Sequence, residues 1–213
     1  MKLHDIGIKY KNNKATKHKY CDFYEKELVN LNPKRILEIG IGTPKTVGSY
    51  GSSLKMWSEY FPEAKVIGLD IDKKAVNQYY GDKIETRFVD CSSVDSIKLA
   101  VTNETYDIII DDGSHQQSHQ QNSLESLWKH LNNGGVFIME DIHHFNAKFS
   151  KFHKKKHDDP GNPHTKFLLE NENMASTRVP SMKEIRSELS EPIKFYIGNG
   201  GKNKSMTAIL RKK

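Results

Sequence analysis

Two short apolar runs in this chain each end in a pair of acids. Ile108-Ile109-Ile110 leads into Asp111-Asp112-Gly113-Ser114-His115, and Val136-Phe137-Ile138-Met139 leads into Glu140-Asp141. A short apolar run bounded by polar turn residues has the pattern of a strand buried on both faces, as parallel sheets use. In open α/β sheets, ligands bind beyond the carboxyl ends of such strands. Neighbouring strands that end this way gather several negative charges in one crevice, which is costly without a positive partner. Hard carboxylate oxygens suit Mg²⁺ or a similar divalent cation. His115 follows closely enough to serve as a base beside that ion, which suggests metal-assisted activation of a hydroxyl group.

The rest of the chain alternates short apolar runs with amphipathic stretches, the signature of βα repeats on a parallel sheet. Strands are predicted at Arg35–Ile39, Val66–Leu69, Glu85–Val89, Tyr106–Ile110 and Val136–Met139. Helices are predicted at Ser53–Tyr60, Lys73–Tyr80, Ser93–Val101 and Ser118–Leu131, with another over Thr16–Leu31 that ends before Pro33. Leu124, Leu127, Trp128 and Leu131 form one apolar stripe at helical spacing, and Asn132-Asn133-Gly134-Gly135 should stop that helix. Lys194–Ile197 and Met206–Leu210 should close the chain as a hairpin across Gly198–Gly201. The expected fold is a single α/β domain over residues 1–213. It is Rossmann-like, with a seven-stranded, mostly parallel sheet, helices on both faces and a C-terminal antiparallel hairpin. Residues 1–32 would form a helical cap. His143–Ser181, polar and poor in apolar residues, would form a substrate lid or flexible insertion.

Composition narrows the function classes. At 213 residues and 36% apolar content, one ordinary core is affordable beneath a heavily polar surface. No run approaches the roughly 18 apolar residues of a membrane span. The N-terminus lacks an apolar signal region, and two isolated cysteines, Cys21 and Cys91, fit a reducing cytoplasm. The net charge of +6 is concentrated in Lys9–Lys19, Lys148–His157 and Arg211–Lys213. Such runs are usually solvated faces, and the excess also suits an anionic small-molecule or glycan substrate. No aromatic-interleaved motif supports RNA, so nucleic acid is not the expected partner.

A nucleotide-type site is written at the ends of the earlier strands. Glu38-Ile39-Gly40-Ile41-Gly42 lets a ligand approach closely at the glycines, but Lys45 stands where a full dinucleotide fingerprint needs glycine. Asp70 and Asp72 follow the second strand and Asp90 the third. Each acid also has a plain reading as a helix cap or turn residue. Their recurrence on successive strands resembles the class I S-adenosylmethionine (SAM) methyltransferases, in which these positions serve the cofactor. A narrower resemblance rests on Asp111-Asp112-Gly113-Ser114-His115, Gly134-Gly135 and Glu140-Asp141-Ile142-His143. These are similar to the metal-dependent sugar O-methyltransferases of the macrocin, mycinamicin and rhamnosyl type.

That resemblance implies SAM and Mg²⁺ as cofactors, with Mg²⁺ held by Asp112, Glu140 and Asp141 and with His115 as general base. It implies Glu38, Gly40, Gly42, Asp70, Asp72, Asp90 and Asp111 on the cofactor side. It also implies a His18-x-Tyr20 element near the cofactor, and it is compatible with a homo-oligomer. Relatives often carry Gly-Thr-Asp-Lys before that element, where this chain reads Tyr10-Lys11-Asn12-Asn13-Lys14. The expected chemistry is removal of a proton from a sugar hydroxyl beside the metal, followed by in-line attack on the SAM methyl group. Imidazole suits that proton transfer at neutral pH. His119, four residues past His115, is expected near the entrance rather than as a second metal ligand. A catechol-type or RNA ribose O-methyltransferase remains an alternative, as does a non-catalytic nucleotide- or nucleic-acid-binding module.

Overall fold

A computed structural model of the chain describes residues 1–42, 50–142, 159, 161–198 and 206–213. Seven strands form one sheet: β1 (Arg35–Ile39), β2 (Lys65–Asp70), β3 (Ile84–Phe88), β4 (Tyr106–Asp111), β5 (Leu131–Met139), β6 (Lys194–Ile197) and β7 (Met206–Arg211). Their order is β3-β2-β1-β4-β5-β7-β6, parallel from β3 to β5 and antiparallel where β7 pairs with β5 and β6. The sequence direction reverses beside β1, so β1 and β4 flank the crevice where such sheets bind ligands.

Successive side chains on a strand point to opposite faces, and this divides the core in two. Ile36, Ile108, Ile110, Val136, Ile138 and Ile209 pack on one face with α1 (Leu3–Lys9), α3 (Cys21–Leu28) and α4 (Ser52–Tyr60). Leu37, Ile39, Ile109, Phe137 and Met139 pack on the other. There they meet α6 (Val94–Ala100), α7 (Gln117–Leu127), α8 (Thr165–Glu170) and α9 (Met182–Ser187). Each fully buried aliphatic side chain of this kind contributes roughly 1.5–3 kcal/mol. Trp57 and Trp128 are buried, as their helical spacing predicts.

Several elements depart from expectation. The helix predicted over Thr16–Leu31 is two helices, α2 (Asn13–Thr16) and α3, separated where Lys19 turns left-handed at φ 56°. The helix predicted over Lys73–Tyr80 is a single turn, α5 (Lys73–Val76), and Tyr80 bends back to donate from its hydroxyl to the Ala75 carbonyl at 2.8 Å. The helix predicted to Leu131 stops at Leu127, becomes a 3-10 turn over Trp128–His130 and yields Leu131 to β5. The four stripe residues are nonetheless all buried. Asn132–Gly135 lies within β5 instead of ending the helix, at the register irregularity beside β4.

The segment predicted as a lid is only partly irregular, because α8 sends Leu168 and Leu169 into the core. Most of 143–160 and the turn joining β6 to β7 lie outside the described residues. Among the described residues, no helix is long and apolar enough to cross a membrane.

Candidate active site

At the carboxyl ends of β1, β2 and β4 the chain encloses a cavity of about 440 Å³. Its walls include Gly40, Gly42, Asp70, Asp90, Asp112 and His115, six of the residues the sequence singled out. Asn12, Asn13, Ser52, Gln116 and His119 also line it, and of these only His119 was anticipated.

Gly40 sits at φ +94°, and a Cβ there would lie 2.1 Å from the Asp112 carbonyl oxygen. Only glycine permits the β1 and β4 turns to approach this closely. Gly42, at φ +102°, faces open space. Asp70 accepts from the Ile41 N–H at 2.7 Å and the Asp72 N–H at 2.8 Å, so it also shapes the turn it occupies. Asp90 accepts from the N–H and the hydroxyl of Ser92. Asp72 lies outside the cavity wall: it caps α5 and accepts from the Tyr50 hydroxyl at 2.6 Å. For Asp72 the plain reading as a helix cap holds.

Beyond the cavity floor the acids separate into two groups. Oxygens of Asp112 and Asp141 and a ring nitrogen of His115 lie within 4.8 Å of one another, a spacing that fits a metal ion. His115 Nε2 is 3.5 Å from Asp141 Oδ2 and 4.0 Å from Asp112 Oδ1. The Tyr20 hydroxyl donates to Asp141 Oδ1 at 2.7 Å, and His18 stacks on the Tyr20 ring at a centroid distance of 5.0 Å. The His-x-Tyr element therefore supports the acid group instead of lining the cavity. Burial pushes the Asp141 carboxyl up, but His115 and the Tyr20 hydroxyl more than offset it and hold Asp141 below the usual range. Both His115 (φ 57°) and Asp141 (φ 51°) are left-handed, a conformation uncommon outside glycine that recurs at functional turns.

Glu140 belongs to the second, deeper group, together with Glu38. Its Oε1 accepts from the Lys14 ammonium at 2.7 Å and from the Tyr24 hydroxyl at 2.5 Å. Lys14 also reaches Asp112 Oδ2 at 2.6 Å and Glu38 Oε1 at 3.2 Å. Burial lowers the Lys14 ammonium's proton affinity, but Asp112, Glu140 and Glu38 reverse this and hold it well above its usual range. Burial also drives Glu140 upward, with Asp112 adding to it and Lys14 opposing. Asp111 points to the other face, toward the α7 side, where burial pushes its carboxyl up to about 6. Alternation along the strand thus separates the members of each acid pair.

Sequence reasoning missed Lys14 and Tyr24. In the sequence Lys14 is one of a basic run with the pattern of a solvated face, and Tyr24 is part of an amphipathic helix. The usable signal was an excess of strand-end acids with no buried cation assigned to them. Both cysteines behave as structural thiols, their pKa pushed up to about 12 by burial. His143 and His144, and the lid histidines His153 and His157, lie outside the described residues.

Comparison with known proteins bears on the family and the fold. The chain is 32% identical over 133 residues to the 8-demethyl-8-(2-methoxy-alpha-L-rhamnosyl)-tetracenomycin-C 3'-O-methyltransferase of Streptomyces olivaceus, covering 59% of this chain and 32% of that protein. It is 34% identical over 143 residues to the L-olivosyl-oleandolide 3-O-methyltransferase of Streptomyces antibioticus, covering 65% and 36%. The chain therefore spans about a third of the length of these curated relatives. Among solved structures, the MycE methyltransferase of the mycinamycin biosynthetic pathway, in complex with Mg and SAH, superposes with a TM-score of 0.73. The identity is 24%, over all of this chain and 53% of that one, a likeness of fold. The family model described as a methyltransferase domain matches residues 34–199. This chain belongs to that family of methyltransferase domains.

Proposed function

We propose that this chain is a SAM-dependent O-methyltransferase, assisted by a divalent cation such as Mg²⁺, that acts on a hydroxyl of a sugar or glycosylated small molecule. The observation that carries the reading is continuity: the cavity and the acid group share Asp112 and His115. A cavity of about 440 Å³ is of ligand size and suits a nucleoside cofactor. Asp70 has acceptor capacity left for ribose hydroxyls, Asp90 lines the same cavity, and Gly40 and Gly42 allow close approach. SAM, when bound, supplies the methyl group.

The donor set of Asp112 and Asp141, with Glu140 behind them, suits a hard divalent cation. Such a cation supplies positive charge beside a hydroxyl as it ionises. Tyr20 fixes Asp141 through its hydroxyl. His115 Nε2, facing Asp141 at 3.5 Å, takes the hydroxyl proton, and Asp141 steadies the resulting imidazolium. A base so positioned contributes roughly 10²–10⁴-fold. The walls of the cavity would hold cofactor and acceptor together, and such positioning would be the remaining large contribution. The sugar-directed relatives support the acceptor class, while the particular sugar and hydroxyl are left open by it.

The test is calorimetric titration of SAM and then Mg²⁺ into metal-stripped protein, followed by methyl transfer to rhamnosyl and olivosyl glycosides. Binding of both with transfer to a glycoside supports the proposal. Failure to bind SAM overturns it, and turnover indifferent to chelator removes the cation.

A further inference from the structure

We propose that Lys14 is a resident cation of the carboxylate cluster. It gathers Glu38, Asp112 and Glu140 in the metal-free protein, and its charge, shared over the same acids, keeps a divalent ion weakly held and exchangeable. This inference rests on the cation half of the proposed function. The Lys14 side chain is 1% exposed; its ammonium donates to Asp112 Oδ2 at 2.6 Å and Glu140 Oε1 at 2.7 Å and pairs with Glu38 Oε1 at 3.2 Å. Those carboxylates come from the ends of three different strands, β4, β5 and β1, so one side chain ties together the edge on which the site is built.

The backbone that delivers Lys14 is fastened too. Asn12 Oδ1 accepts from the Lys14 N–H at 2.8 Å, and Asn12 Nδ2 donates to Ser52 Oγ at 3.0 Å. Lysine is rarely buried without partners, and here the partners are the acids that flank the open group. Asp112 divides its carboxylate between the two, with Oδ2 on Lys14 and Oδ1 toward His115. Lys14 neither lines the cavity nor moves a proton in the reaction, so it is a positioning residue acting through Asp112 and Glu140. A fixed positive charge on Oδ2 of Asp112 would weaken the hold of the same carboxylate on a divalent ion.

The experiment is Mg²⁺ titration of the full chain as wild type, Lys14→Met and Lys14→Arg, with thermal unfolding in chelator and at rising Mg²⁺. Lys14→Met should bind Mg²⁺ about tenfold more tightly or better. It should melt below the wild type in chelator and gain more from added Mg²⁺. Lys14→Arg, which keeps the charge, should stay within about threefold of wild type. A folded Lys14→Met with unchanged or weaker Mg²⁺ affinity overturns the proposal. If Lys14→Met does not fold in chelator, the expected result is folding restored by Mg²⁺, and a chain still unfolded at saturating Mg²⁺ overturns it. Binding by Lys14→Met but not by wild type would support the resident cation while removing the metal from the native mechanism. Binding by neither overturns both.

Discussion

The sheet carries a charge cluster at each end, and the two are built on opposite terms. Toward the amino ends of the strands, Arg35 and Lys65, with Arg87 reaching across from within β3, meet Glu85 and Glu104 in pairs of 2.5–2.7 Å, with side chains 23–46% exposed. Cations outnumber acids there, and water shares the load. At the carboxyl ends, Glu38, Asp112 and Glu140 surround one lysine, and both Lys14 and Glu38 are essentially out of water. Asp111 and Asp141 add further acid nearby. Partly exposed pairs stabilise little and cost little. Buried acids in excess are expensive, and a fold keeps them where a positive ligand or reaction is served. Charge imbalance under burial, more than the number of charges, sets apart the end that carries the candidate site.

That contrast can be broken by substitution. His115→Ala should lower kcat by roughly 10²–10⁴-fold while the melting temperature and SAM affinity stay close to wild type. An unaltered kcat would remove His115 as base. Asp70→Ala should weaken SAM binding by about ten- to a hundredfold, since hydrogen bonds to a charged group contribute roughly 1.5–3 kcal/mol. Undiminished affinity in calorimetry would reduce Asp70 to a turn-former. At the opposite end, Glu104→Gln should leave turnover untouched and cost about 1–2 kcal/mol in urea unfolding. A loss of activity there would erase the distinction between the two ends.

The smallest effect is the most diagnostic of pH. The Arg87 guanidinium, joined by Tyr106 and Arg35, holds the Glu104 carboxyl down at about 2. A depressed carboxylate contributes stability above its ordinary range and loses it as pH falls toward the folded value. The stability gap between wild type and Glu104→Gln should therefore be constant near neutral pH and close as pH drops from the glutamate range toward 2. A gap that persists at the acid limit would assign the stabilisation to packing.

The centre of the sheet is legible in the sequence because its strands are doubly buried: Ile108-Ile109-Ile110 and Val136-Phe137-Ile138 are apolar at every position, and burial on both faces demands that. The split helix around Lys19 was not legible, because the break is made by a left-handed residue carrying an ordinary side chain. Gly40, Gly42, Asp70, Asp90, Asp112 and His115 reached one cavity because strand ends converge in any such fold. Asp72 could not be told from a helix cap, since cap and ligand use the same carboxylate. Lys14 was hidden for a different reason: a lysine in a basic run carries no local sign of the three distant acids that bury it.

The order of the last strands bears on how the protein is made. β6 precedes β7 in the chain yet reaches the sheet only through β7, which lies between it and β5. The site is moored to the same strand, since the Ile142 N–H, one residue beyond Asp141, donates to the Met206 carbonyl at 2.8 Å. During synthesis, β1 to β5 can emerge and begin to pair while β5 still offers a bare edge. That edge stays open, and the turn carrying Asp141 lacks its anchor, until residues 206–211 leave the ribosome. The nascent chain thus spends that interval with an unpaired apolar strand exposed to neighbours. The candidate site is therefore completed only after β7 has paired with β5.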